Sequence, residues 1–141
     1  MLNFPKQLGR VGLMSGGIAI VLLCLRLPAG AGYVDNYSKW REMTEEMKLG
    51  YAMSLYDVFS SLIDPADPKS WAVARGMAEC GSALQLSNDM IVDAIDNFYG
   101  RSAENWGVAP MSAFLKEVKF GACRMHVDRL LIERGFQALP K

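Results

Sequence analysis

From position 44 onward apolar residues return every three or four positions, and nowhere do they alternate long enough to make a strand. That spacing commits the chain to helices packed on apolar stripes. Thr44 is placed to cap a first helix, with Glu45 and Glu46 in a first turn that favours negative charge. Met47, Tyr51, Leu55, Phe59 and Leu62 form its stripe, and Asp64-Pro65-Ala66-Asp67-Pro68 ends it, because two prolines cannot continue a helix. Residues 38–43 add a turn or two upstream. Ser70 is expected to cap a second helix that opens on Trp71, carries Ala74, Met77, Ala78 and Cys80, and stops near Gly81. Ser87 caps a third, with Ile91, Ala94, Ile95 and Phe98 on its apolar face and Gly100 suited to the residue just past its end. Residues 101–109 read as a polar loop. Pro110 suits the first position of a fourth helix, whose stripe Met111, Phe114, Leu115, Val118, Ala122 and Met125 runs on through Leu130 and Leu131 toward Gly135. Gly121 falls in its middle, at a kink or a close approach. The expected fold is all-α, a small bundle of four to five helices.

Residues 1–31 are of another kind and read as a signal peptide. Lys6 and Arg10 give a positive start, residues 11–25 carry no charge, and Pro28-Ala29-Gly30-Ala31 supplies the small residues of a cleavage site after Ala31. The apolar stretch is shorter than the roughly 20 residues that span a bilayer, and Arg26 closes it. An uncleaved membrane anchor is the competing reading. A lipoprotein is disfavoured, because Leu23 rather than a small residue precedes Cys24. Cleavage divides the chain into the leader and a single helical domain at 32–141. No stable membrane insertion is expected afterwards, and the location implied is periplasmic.

The leader also explains the charge count. The 15 basic and 15 acidic residues of the whole chain cancel, but three of the basic ones, Lys6, Arg10 and Arg26, lie in the leader. The remaining 110 residues of 141 therefore set 12 basic side chains against 15 acidic ones, a net charge of −3. That balance argues against a nucleic-acid partner. The leader takes one of three cysteines, so Cys80 and Cys123 remain. An even count in an oxidising compartment reads as a disulfide. Closing a loop of about 44 residues contributes roughly 4 kcal/mol on the chain-entropy account.

Chemistry is scarce in this sequence. His126 is the sole histidine and lies in a helical stretch with no nucleophile in a strained turn nearby. One histidine and two bridged cysteines cannot complete a zinc shell, and no Gly-rich phosphate loop is present. The reading is therefore a protein that is not an enzyme and needs no cofactor and no metal. Two features suit binding instead. Asp89, Asp93 and Asp96 fall at 0°, about 40° and about 340° on a helical wheel, one narrow face opposite the apolar one. Such a strip is either a solvated face or a dock for a basic partner. In residues 101–109, Arg101, Glu104, Asn105 and Trp106 form the second candidate. A Trp among polar residues either anchors a partner or folds back onto the core.

At Gly50-Tyr51-Ala52-Met53-Ser54-Leu55-Tyr56-Asp57 the sequence is similar to the G-Y-x-x-G-x-x-D helix of the Rap/Tai family of periplasmic immunity proteins. Cys80, the run Leu86-Ser87-Asn88-Asp89-Met90-Ile91-Val92, Tyr99, Pro110 and Cys123 continue the resemblance across residues 44–123. Ser54 stands at the second glycine, and Leu49 where the family often has a further cysteine. The resemblance implies a small, all-α, exported protein, often a dimer. Such a protein binds a cell-wall amidase toxin delivered by type VI secretion and occludes its active site. A small periplasmic stress chaperone, exposing apolar Met-rich surface on acidification, is the alternative.

Overall fold

A computed structural model of the chain describes residues 34–61, 64 and 66–140. The expected signal peptide with Cys24, and Leu62 of the first stripe, lie outside them. The described residues form six α-helices and contain no strand. All belong to one unit, Gly32–Lys141. Six rather than four or five arise because the upstream turns form a helix of their own and the last helix is divided.

The added helix is α1, Tyr37–Arg41. Asn36 caps it by accepting a hydrogen bond from the Lys39 N–H at 3.1 Å. Five residues do not hold a helix in water by themselves. Trp40 holds this one, fully buried, with its indole N–H donating to Asp96 Oδ1 at 2.6 Å. Helix α2 spans Glu45–Ser61, and Thr44 caps it as expected, accepting from the Met47 N–H at 3.3 Å. Its inward face is turned from the expected stripe. Met47 is 57% exposed, and Lys48, Ala52 and Leu55 are buried with Tyr51 and Phe59 partly so. The Lys48 amine accounts for the turn: it lies 3.7 Å from Asp96 Oδ2 and 5.5 Å from the Trp40 ring centroid.

Helix α3, Pro68–Leu84, corrects the expected cap. Asp67 accepts from the Lys69 N–H at 3.0 Å, and Ser70 lies inside the first turn. Pro68 opens the helix because a first-turn residue needs no N–H partner. The helix also passes Gly81 and ends at Gln85, which takes a left-handed conformation with φ 51°. Gly81 is needed for space instead: a Cβ there would come 1.9 Å from the Tyr56 hydroxyl oxygen. Helix α4, Asn88–Arg101, is capped by Ser87 as expected and buries Ile91, Ile95 and Phe98, with Val92 and Tyr99 added. Gly100 lies within its last turn, and Ser102 follows the helix end.

Residues 101–109 are not an open loop. Ser102 accepts from the Glu104 N–H at 3.2 Å and starts a 3-10 helix, Ala103–Gly107. Pro110 then opens α5, Pro110–Phe114, which passes into a π-helical segment, Leu115–Ala122, and then α6, Arg124–Glu133. The Cys123 N–H bonds to the Val118 carbonyl five residues back, at 2.7 Å. One extra residue in a turn rotates everything beyond it by about 100°. Val118 is therefore followed inward by Cys123, Val127, Leu130 and Leu131. Ala122 and Met125, expected on the stripe, face out, and Met125 is 74% exposed.

Helix α3 packs closely on α6, and a Cβ on Gly76 would lie 2.7 Å from the Val127 Cα. One turn away, Cys80 and Cys123 form the disulfide, both fully buried, with their Cα atoms 5.3 Å apart. Helix α2 lies against α3 and α4. Trp40, Met77, Ile95, Phe114 and Leu131 are among the core side chains that close the space between them. No described helix is long and apolar enough to cross a membrane.

Candidate protein-docking site

The last carbonyls of any helix lack partners within it. At the end of α4 the 3-10 helix supplies them. Asn105 Nδ2 donates to the Phe98 carbonyl at 2.6 Å, and the Trp106 indole N–H donates to the Tyr99 carbonyl at 3.2 Å. Tyr99 returns the tie, its hydroxyl donating to the Val108 carbonyl at 2.7 Å. Burial of that ring, then the nearby Tyr51 and Asp96, push the phenol far above the usual tyrosine range. It stays a neutral donor at any ordinary pH.

These bonds fix Trp106 at the surface. Its N–H is turned inward, yet 52% of the residue is exposed. Its ring stacks on Tyr37, centroids 5.6 Å apart, and Tyr37 tilts against Tyr99 at 4.9 Å. The Arg41 guanidinium lies 5.9 Å from the Tyr37 centroid. Asn36, Tyr37, Ser38, Arg41, Trp106 and Gly107 line a cleft of about 530 Å³ between α1 and the 3-10 helix. Tyr37 and Arg41 were not singled out in the sequence, although their four-residue spacing puts them on one helix face.

The other candidates separate. Arg101 is engaged in an ion pair with Glu117 of the π-helical segment, its guanidinium also over the Phe98 ring. Glu104 is exposed, with no partner for its carboxylate among the described residues. Asp89 and Asp93 are exposed and unpaired among the described residues, but Asp96 is occupied by Trp40 and Lys48. The strip of three thus leaves two open carboxylates and one that anchors α1 to α4. Among the described residues no group of three His, Cys, Asp or Glu side chains is placed to hold a metal ion. His126 lies partly buried on α6. Cys80 and Cys123 are bonded to each other, so neither is a free thiol.

Comparisons with models of protein families, with curated proteins and with solved structures return no match.

Proposed function

We propose that this protein is an exported binding module of the Rap/Tai immunity type, which docks on a cell-wall amidase toxin in the periplasm and occludes it. One observation carries the reading: an exposed Trp, held by a hydrogen bond to the end of α4, gathered at a cleft with a Tyr and an Arg. Trp, Tyr and Arg dominate the energetics of protein interfaces, and a preformed arrangement loses little entropy on binding. The similarity of residues 44–123 to that family supplies the partner class, and a buried disulfide suits an oxidising compartment.

The test is calorimetry against any peptidoglycan amidase found encoded beside the gene, with protein expressed from the full sequence and recovered from the periplasm. Trp106→Ala is expected to weaken binding by a factor of about 30 or more, the loss of one interface hot spot. Equal affinity for the two proteins would remove the cleft from the interface. The mass of the recovered chain reports cleavage after Ala31.

A second reading draws on the exposed methionines Met47, Met53, Met90 and Met125. Flexible thioether side chains suit promiscuous apolar binding, as in a stress chaperone. That reading expects suppression of client aggregation at low pH, with no preference for an amidase.

A further inference from the structure

We propose that the cleft between α1 and the 3-10 helix receives an acidic side chain of the protein partner, with Arg41 as its counter-charge and the Trp106 and Tyr37 rings covering the apolar residue beside it. The inference rests on the protein-binding reading and adds the chemistry of what enters.

Charge decides the sign of the occupant. Among the described residues lining the cleft, Arg41 is the sole charged one. Among the described residues it forms no ion pair. Asp35 is taken by Lys39 at 3.2 Å and by the Asn36 amide at 2.6 Å, and Glu42 accepts from the Ser38 hydroxyl at 3.5 Å. Other arginines of the chain have carboxylates: Arg75 has Glu79, Arg101 has Glu117, Arg124 has Asp128, and Arg129 has Glu79 and Glu133. Among the described residues Arg41 has only the face of Tyr37, as Arg134 has that of Trp71. A guanidinium lying near an aromatic ring is oriented, and its planar fork fits a carboxylate with two parallel hydrogen bonds.

Shape and the remaining polar groups agree. The Trp106 N–H is consumed by the Tyr99 carbonyl, so Trp106 offers its ring rather than a donor. The Asn36 side chain accepts from the Lys39 N–H and donates to Asp35, which turns it toward its own chain. The cleft thus presents one cation and two aromatic surfaces, and its 530 Å³ falls within the usual range for pockets that enclose a ligand. A neutral polar occupant would leave Arg41 without a counter-charge. A cationic one would be repelled.

A small probe separates this from the wider functional reading. Nitrogen-labelled protein is titrated with 3-phenylpropanoate and, separately, with 3-phenylpropanamide, following the Trp106 indole and Arg41 Nε–H resonances. The acid is expected to shift both saturably and to bind about tenfold or more tighter than the amide, a preference that weakens with added salt. Arg41→Gln is expected to make acid and amide equal, and Arg41→Lys to keep part of the preference. Unchanged Trp40 and Trp71 indole resonances show that the variants are folded. Equal binding of acid and amide to the wild-type protein, or a shift from neither, overturns the proposal. An amidase complex indifferent to Arg41→Gln overturns it too. Failure of the chain to bind any amidase, with the acid preference intact, overturns the immunity reading alone.

Discussion

Gly76 and Gly50 lie in the middle of two long helices and answer to different constraints. A Cβ on Gly76 would meet Val127 at three points, two of them backbone atoms at 2.7 Å and 3.0 Å. Backbone cannot swing aside as a side-chain tip does, and the disulfide one turn away stops α3 and α6 from parting. Alanine gains about 1 kcal/mol of helix propensity over glycine, whereas overfilling a packed interface costs about 1–3 kcal/mol or more. Gly76→Ala, with unyielding backbone at the contact putting it in the upper part of that range, should therefore lower stability by about 1–2 kcal/mol in urea denaturation. Gly50 has nothing within 4 Å of the Cβ position, so Gly50→Ala should raise stability by about 0.5–1 kcal/mol. A neutral Gly76→Ala would contradict the close helix approach. At this scale the sequence was partly readable. The caps Thr44 and Ser87 were legible because a short side-chain oxygen before an apolar period has few other uses. Lys48 and Asp96 were not: nothing local says that a lysine faces inward, since its partner Asp96 and the ring it covers come from other helices.

Between elements, what sequence periodicity misses is any turn that is not α-helical. Val118, Ala122 and Met125 continue a 3.6-residue stripe as well as Val118, Cys123 and Val127 continue one with an extra residue in a turn. The choice is made by the partner helix, where Cys80 and Gly76 wait for Cys123 and Val127. The 3-10 helix escaped for a related reason. Its composition is that of a loop, and its order comes from the last carbonyls of α4, which lack partners within the helix. Trp106 was recognised as a candidate; the α1 half of its cleft was not, because α1 depends on the burial of Trp40 more than on its own sequence. Asn105→Ala tests the arrangement. It leaves the part-buried Phe98 carbonyl without a donor, at a cost of about 1–2 kcal/mol. Hydrogen exchange should quicken across residues 99–107 and stay unchanged across α3. Acceleration spread evenly over the chain would mean that the 3-10 helix is not a separate local unit.

For the whole folded unit, the disulfide and the cleft beside Trp106 are coupled through the order of the chain. Between Cys80 and Cys123, 43 positions apart, lie α4, the 3-10 helix with Trp106, α5 and the π-helical segment. The bridge thus closes around the 3-10 helix side of the cleft and the α4 end that anchors it, while the α1 side lies outside the loop. Constraining an unfolded loop of this length is worth about 4 kcal/mol, against about 5–15 kcal/mol for the total stability of a domain. Replacing both cysteines by serine should lower the urea midpoint and, because the unfolded chain becomes less compact, raise the dependence on urea. Serine adds the cost of two buried hydroxyls, so Cys80→Ala with Cys123→Ala is the cleaner pair. Both sulfurs are fully buried, so a reductant acts on the native protein only through opening of the α3–α6 contact. Wild-type protein should then resist reductant in the absence of urea and lose its bridge near the start of the unfolding transition. Thiol labelling after a short reductant pulse at each urea concentration measures this. Rapid reduction with no urea present would show that the α3–α6 contact opens freely, and that the cleft is not held by the bridge.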